Sequence, residues 1–271
     1  MPASHAKRME RSRTGLFFAV LLLCGCSTTV ERDGPGKRRA PTDVADAVPK
    51  VEAKSKYGNP ASYEVLGKRY YTLKTAAGFS QRGVASWYGE KFHGRKTSSG
   101  EVYDMYKMTA AHKGLPLPTY VEVINLDNQR RAVVKVNDRG PFHDNRVIDL
   151  SYAAALKLGV VEKGTAFVQI NAIDPSSEGQ RTARNVQYPA NSQQSGVYLQ
   201  VGAFRERQNA QALVDKLTRV VAGKVGITQV FTAGSTLHRV QIGPVMSVAA
   251  ADSLVAALAS IGISEHHFVS N

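Results

Sequence analysis

The chain has 271 residues, of which 43% are hydrophobic and 21% are charged, so it is long enough to form one or two globular domains. The 35 Lys and Arg residues exceed the 22 Asp and Glu residues, which gives a net charge of +13. This excess is spread thinly, without a dense basic stripe or a zinc-finger pattern, and we therefore expect no nucleic-acid partner. Cys24 and Cys26 both lie near the N-terminus, which excludes a disulfide framework or a cysteine nucleophile in the rest of the chain.

Residues 1–25 have the organisation of a secretory signal. Basic residues precede the apolar run Leu16–Leu23, which is too short to cross a bilayer. The sequence Leu23-Cys24-Gly25-Cys26 resembles the lipobox of bacterial lipoproteins, and Ser27 resembles an outer-membrane sorting residue. The resemblance implies that Cys26 becomes the lipidated first residue and anchors the protein in the outer membrane, facing the periplasm. An ordinary cleaved signal with incidental cysteines is the alternative.

Two segments with few large apolar residues divide the rest of the chain. Residues 26–59 are rich in charged residues, Pro, Gly and Ala, which predicts a flexible tether. Residues 176–195 are rich in Ser, Gln, Asn and Arg, which predicts an interdomain linker. Two folded units are therefore predicted, one over 60–175 and one over 196–271.

The first unit is predicted to be mainly β. Val121 and Val123, and then Val134 and Val136, alternate with polar neighbours, which is typical of half-buried strands. One helix is predicted to begin after Ser151 as its N-cap and to end at Gly159. Several short strands with one helix favour a small β-barrel.

The second unit is predicted to follow the order βαββαβ of the ferredoxin-like fold, which makes it α+β. The predicted elements are strand Val197–Val201, helix Arg207–Val221, strands Val225–Phe231 and His238–Ile242, helix Val248–Ala259 and strand His266–Val269.

Seven blocks in the first unit occur in the order of a known family. They are Gly83-Val-Ala-Ser-Trp-Tyr-Gly89, Lys91-Phe-His-Gly94, Thr97-Ser-Ser-Gly-Glu101, Met108-Thr-Ala-Ala-His112, Leu115-Pro-Leu-Pro118, Val136-Asn-Asp-Arg-Gly-Pro141 and Arg146-Val-Ile-Asp-Leu-Ser151. These blocks resemble the rare lipoprotein A family, whose fold in this region is the double-psi β-barrel. Gln200-Val-Gly-Ala-Phe204 and Arg239-Val-Gln-Ile-Gly-Pro244 resemble a SPOR domain, the module that binds glycan stripped of stem peptides.

The resemblance implies lytic transglycosylase activity, which cleaves the bond between N-acetylmuramic acid and N-acetylglucosamine in peptidoglycan and leaves a 1,6-anhydro end. One carboxyl group can protonate the leaving oxygen and later accept the proton of the attacking C6 hydroxyl. Glu101, Asp138 and His112 match functional positions of the family and are the catalytic candidates, with Glu101 ranked above Asp138 as the acid.

Each candidate also has a structural interpretation. Glu101 follows a Ser-Ser-Gly turn and could be an ordinary surface carboxylate. Asp138 lies in a turn sequence, where its carboxylate could bond locally or pair with Arg139 or Arg146. His112 could be a structural histidine that has found a partner. Asp149 is expected to cap the helix that follows it.

Substrate-binding residues are predicted in both units. Trp87 and Tyr88 could stack on sugar faces, although the single Trp of a small barrel is equally often part of its core. In the SPOR unit the alternation places Tyr198, Gln200, Gly202, Arg239 and Gln241 on the sheet face that the helices leave open, and this face would contact an uncharged polysaccharide. An ordinary solvated sheet face is the alternative. The histidines lack a metal-ligand spacing, so we expect no metal and no cofactor.

These features predict an endolytic lytic transglycosylase that the SPOR domain directs to bare glycan strands at the division septum. Proteins of the division machinery are further candidate partners. A non-catalytic, expansin-like glycan-binding lipoprotein that organises the wall is the main alternative, and a hydrolase using two carboxylates around a water is the third.

Overall fold

The computed structural model describes residues 34–35, 44–143, 145–176, 196–232 and 234–270. The predicted signal, the lipidation site at Cys26 and nearly all of the predicted linker lie outside these residues. The strands are β1 (Ser62–Val65), β2 (Lys68–Tyr71), β3 (Ser80–Tyr88), β4 (Thr109–His112), β5 (Thr119–Asn125), β6 (Arg131–Asp138), β7 (Arg146–Ser151), β8 (Ala166–Ala172), β9 (Val197–Phe204), β10 (Val225–Thr232), β11 (Ser235–Ile242) and β12 (His267–Ser270). The helices are α1 (Tyr152–Leu158), α2 (Arg207–Leu217) and α3 (Val248–Ser260), with a short 3-10 turn at Glu90–Phe92.

Strands β3 to β8 close into a barrel. Strand β3 pairs with β7 and β8, β4 pairs with β6 and β7, and β5 pairs with β6 and β8, so each strand has two neighbours within the ring. The β3–β7 and β4–β6 pairs are parallel and the others are antiparallel. Each of these six strands therefore has a hydrogen-bonded neighbour on both sides within the ring, and β1 and β2 form a separate two-stranded sheet. The barrel predicted for this region is confirmed.

The barrel core is built by the alternating valines and by α1. Val121, Val123, Val134 and Val136 are fully buried, as the alternation predicted. Helix α1 begins at its predicted cap, where the Ser151 hydroxyl accepts a hydrogen bond of 3.2 Å from the Ala154 amide. It ends at Gly159, whose φ of 70° suits a residue without a Cβ atom.

The segment 44–59 lies along the barrel wall, which differs from the flexible tether predicted over 26–59. The Ala47 amide donates to the Val133 carbonyl at 3.0 Å, and the Ser55 amide donates to the Leu117 carbonyl at 2.8 Å. Asp46 pairs with Lys157 at 2.9 Å. Backbone and side-chain groups both take part in these contacts, and they leave no periodic pattern in the sequence. We call residues 44–59 the strap.

The C-terminal domain has the βαββαβ order that was predicted, and its sheet has the strand order β10–β11–β9–β12. Leu199, Val240 and Ile242 are buried in one hydrophobic cluster with Leu217 and Leu258 of the two helices. The ferredoxin-like prediction is therefore confirmed. Among the described residues, no helix is long and apolar enough to cross a membrane.

The two domains meet along β3 and β12. Phe268 of β12 is paired with Arg82 of β3, and its ring lies edge-on to Phe167 with centroids 5.5 Å apart. Asp252 of α3 accepts a hydrogen bond from Asn145 and lies 3.6 Å from the guanidinium of Arg146. Apolar and polar contacts thus join the SPOR sheet to the barrel.

Candidate functional site

A tight turn presents Glu101 at the barrel surface. The Gly100 amide donates to the Thr97 carbonyl at 2.9 Å, and the Thr97 amide donates to the Glu101 carbonyl at 2.8 Å. Gly100 has a φ of 93°, a conformation that side chains with a Cβ atom rarely adopt. The turn fixes the backbone of Glu101 while its side chain remains 45% exposed. A surface ligand can therefore reach this carboxylate.

Two side chains of β6 hold the Glu101 carboxylate. Lys135 donates to Oε1 at 2.8 Å, and Asn137 donates to Oε2 at 2.7 Å. Partial burial acts to raise the pKa of Glu101, but these two hydrogen bonds outweigh it and hold the pKa below its usual value. Lys135 and Asn137 were not predicted as site residues, although their alternation with Val134 and Val136 places them on the polar face of the strand.

A second carboxylate, Glu52 of the strap, shares Lys135. The Lys135 ammonium lies 3.1 Å from Glu52 Oε2, and the Tyr120 hydroxyl donates to Glu52 Oε1. Desolvation disfavours the charged ammonium, but its two carboxylate partners outweigh this effect and raise the pKa of Lys135. Glu52, Lys135, Glu101 and Asn137 therefore form a continuous chain of hydrogen bonds.

Asp138 lies next to this chain and holds the turn that carries Glu101. Its Oδ1 accepts hydrogen bonds from the Ser98 amide at 2.8 Å, the Ser98 hydroxyl at 2.6 Å and the Arg139 amide at 2.7 Å. The Arg139 guanidinium points elsewhere, toward backbone carbonyls of neighbouring loops. Asp138 thus makes the local hydrogen bonds within a turn that its sequence context suggested. Because Ser98 belongs to the turn that carries Glu101, these hydrogen bonds also bring Asp138 and Glu101 into one loop cluster.

The His112 ring is not part of that cluster. Its Nδ1 accepts from the amides of Gly114 at 3.0 Å and Leu115 at 2.9 Å, so Nε2 carries the proton and donates to Gln81 Oε1 at 3.0 Å. Only 5% of the residue is exposed. Burial, with Arg139 and Lys113 nearby, lowers the pKa of His112 to about 3. A catalytic role for His112 would therefore be indirect.

This environment makes the stability of the protein depend on pH. Folded His112 stays neutral down to its lowered pKa of about 3, whereas the unfolded residue binds a proton below about 6.5. The contribution of neutral His112 to the free energy of unfolding is thus complete above pH 6.5 and is lost as the pH falls toward 3. Between pH 7.5 and 5.0 we expect the free energy of unfolding to fall by about 2 kcal/mol because of this group. Urea titrations at both pH values should show this difference between the parent and His112→Gln, and equal pH dependence would contradict it.

His112 instead lines a cavity of about 380 Å³ between the barrel and β12. Lys113 and Arg146 of the barrel and His266 and His267 of the SPOR domain are among the other lining residues. The side-chain contacts of the three catalytic candidates therefore differ. Asp138 and Glu101 are joined through the turn at residues 97–101, whereas the His112 ring contacts Gln81 and two loop amides.

Three other residues discussed in the sequence analysis pack within the barrel. Tyr88 is only 8% exposed and stacks on Tyr103 with centroids 4.2 Å apart, so its ring faces another ring rather than an open platform. Trp87 is half-buried against Tyr152. Asp149 does not cap α1 as expected, because Ser151 fills that position and Asp149 accepts from the Ser86 hydroxyl. Burial raises the pKa of Asp149 despite that hydrogen bond.

The open face of the SPOR sheet carries most of the predicted residues. Gln200 lies opposite Gln241 and His267 on the neighbouring strands, and Arg239 lies opposite Thr228. Tyr198 and Arg239 are half-buried, whereas Gln241 is only 5% exposed and accepts from the Thr228 hydroxyl at 2.7 Å. His267 is an exposed neighbour on this face that the alternation of single strands did not identify.

Gly202 lies on the other face of the sheet, and its predicted place on the open face is wrong. The pairing of β9 with β11 skips Val201, since Val240 lies opposite Gly202 and Gln241 lies opposite Gln200. This bulge reverses the alternation. A Cβ atom at Gly202 would lie 3.0 Å from Leu213 of α2, on the helix-covered side.

Comparison with protein families agrees with this two-domain arrangement. Residues 80–170 match the family described as lytic transglycolase, which has the double-psi β-barrel, and residues 193–269 match the SPOR domain. The barrel, the carboxylate cluster and the appended sheet thus define a lytic-transglycosylase-type barrel joined to a SPOR domain.

Curated relatives narrow this class further. The endolytic peptidoglycan transglycosylase RlpA of Pseudomonas aeruginosa strain UCBPP-PA14 is 38% identical over 86% of this chain and 88% of its own length. The protein of the same name from Vibrio cholerae is 53% identical over 57% of this chain and 60% of its own. A crystal structure of the RlpA SPOR domain from P. aeruginosa covers 27% of this chain and 97% of its own, with 34% identity and a TM-score of 0.27. The chain belongs to the RlpA family.

Proposed function

We propose that this protein is an endolytic lytic transglycosylase that cleaves between N-acetylmuramic acid and N-acetylglucosamine in glycan strands lacking stem peptides. The observation that carries the proposal is the position of Glu101, a half-exposed carboxylate on a fixed turn with Asp138 beneath that turn. The names of the relatives support the same reaction.

Glu101 performs both proton transfers of the reaction. In its protonated form it donates to the glycosidic oxygen as the bond from that oxygen to C1 of the muramic acid breaks. The ionised carboxylate then accepts the proton of the C6 hydroxyl as this oxygen attacks C1 and closes the 1,6-anhydro ring. No water is consumed, and Glu101 returns to its starting state.

The neighbouring groups assist this cycle. Asn137 and Lys135 fix the orientation of the carboxylate and stabilise its ionised form between the two transfers. Asp138 acts through Ser98, because it holds the turn from which Glu101 projects. Because Lys135 and Asn137 favour the ionised form of Glu101, cleavage should become faster as the pH falls toward the lowered pKa of that residue.

The SPOR domain directs the barrel to its substrate. Its open face, with Tyr198, Gln200, Arg239 and the neighbouring His267, offers an aromatic ring and polar groups to a bare glycan strand. Denuded strands at the division septum would concentrate the protein there, while a lipid on Cys26 would hold it at the outer membrane. Tethering at two points would raise the local concentration of the barrel at the strand.

Digestion of amidase-treated sacculi followed by mass spectrometry tests the proposed activity. We expect soluble fragments that end in 1,6-anhydro-N-acetylmuramic acid, and none from sacculi that retain their stem peptides. Reducing ends in place of anhydro ends would identify a hydrolase. An absence of soluble products from pH 4 to pH 8, with binding retained, would identify the expansin-like alternative.

A further inference from the structure

The strap brings a charged side chain to the site from outside the barrel. Backbone hydrogen bonds fix the strap on both sides of Glu52, at Ala47 and at Ser55. Between these points Glu52 accepts hydrogen bonds from Tyr120 of β5 and Lys135 of β6. Its side chain is 25% exposed, and that of Lys135 is 17% exposed, so both are partly shielded from solvent.

We propose that Glu52 is a positioning residue for the proton transfers of Glu101, acting through the ammonium group of Lys135. This inference rests on the proposed function. It assigns a part of the active site to a segment that precedes the barrel and that sequence composition predicts to be a tether.

The ammonium group of Lys135 is shared between two carboxylates. Lys135 lies 2.8 Å from Glu101 Oε1 and 3.1 Å from Glu52 Oε2, so neither carboxylate has it alone. A lysine paired with Glu101 alone would stabilise the ionised form more strongly and leave less of the acid form. The negative charge of Glu52 acts in the opposite direction and raises the pKa of Glu101, although the net effect of all the neighbours is to lower it.

Among the residues that the structure describes, few charged groups act on this pair. Glu101 is contacted by Lys135 and Asn137 of β6, and Glu52 by Tyr120 and Lys135, with Lys50 of the strap close enough to act on Glu52. Tyr120 is neutral at physiological pH because burial and Glu52 both raise its pKa. Removing the charge of Glu52 therefore leaves Lys135 paired with Glu101 alone.

The pH dependence of cleavage by Glu52→Gln tests the proposal. The glutamine can still accept the Tyr120 hydrogen bond, so the strap should remain in place. We expect the pH at which kcat/KM falls to half to move down by roughly 0.5 unit, so that kcat/KM at neutral pH falls about threefold. The shift should shrink only modestly in high salt, because partly shielded charges are screened less than exposed ones.

Glu64→Gln is the matched control, since Glu64 of β1 is an exposed carboxylate paired with Arg69 at 3.7 Å. Its pH profile should coincide with that of the parent. A Glu52→Gln profile that coincides with the parent, or that is lowered equally at every pH, would overturn the proposal.

A direct titration separates this inference from the proposed function. Carbon-13 NMR of carboxyl-labelled glutamate in the full chain, assigned with Glu101→Gln, reports the pKa of Glu101 without substrate. A lower pKa of Glu101 in Glu52→Gln supports the coupling even if no cleavage is found, in which case only the activity is wrong. An unchanged pKa overturns the coupling even in an active enzyme.

Discussion

Replacing Glu101 with glutamine should reduce the rate of glycan cleavage by about three orders of magnitude, which is the scale of a lost general acid. The amide has the size of the carboxyl group but can neither deliver a proton to the leaving oxygen nor accept one from the C6 hydroxyl. The turn should persist, because the Thr97 and Gly100 amides hold it through backbone carbonyls. Release of anhydro-ended fragments from amidase-treated sacculi is the measurement.

A binding measurement distinguishes the loss of the catalytic acid from the loss of substrate binding. Glu101→Gln should still co-sediment with amidase-treated sacculi, since the SPOR face is unchanged, and Glu64→Gln should cleave at the parental rate. An activity of Glu101→Gln within tenfold of the parent would remove Glu101 from both proton transfers. The remaining carboxylate of the cluster, Asp138, would then be the next residue to replace.

The parts of this fold that were predictable depend on local signals. Helix α1 has its cap and its terminating glycine within nine residues of sequence. Along β5 and β6, Val121, Val123, Val134 and Val136 alternate and are fully buried. The bulge at Val201 has no such signal. It depends on the pairing of β9 with β11, and for this reason Gly202 was assigned to the wrong face.

The site was predictable in its residue types but only partly in its arrangement. Glu101 follows a turn sequence and Asp138 lies within one, and the structure brings them to one cluster. The direction of the His112 ring depends on the loop that follows β4, whose two amides occupy Nδ1. Glu52 could not be found from composition, because no periodic pattern in residues 44–59 marks which of their side chains reach the barrel.

Replacing Arg139 should lower the stability of the protein substantially. Its guanidinium donates to the carbonyls of Gly58 at 2.8 Å, His112 at 3.1 Å and Leu115 at 2.6 Å, and it lies 3.3 Å from the side-chain oxygen of Asn59. These acceptors belong to the end of the strap and to the loop after β4. A charged side chain that satisfies several part-buried carbonyls leaves all of them unpaired when it is removed.

We therefore expect Arg139→Met to lower the free energy of unfolding by roughly 3 kcal/mol, measured by urea titration at pH 7.5. The methionine keeps the apolar stem but supplies no donor. Arg131→Met is the control, because Arg131 is exposed and makes a surface pair of 3.3 Å with Glu122, which is expected to contribute less than about 1 kcal/mol. An equal loss of the free energy of unfolding in the two variants would mean that solvent replaces the Arg139 hydrogen bonds. The strap would then be held by its other contacts alone.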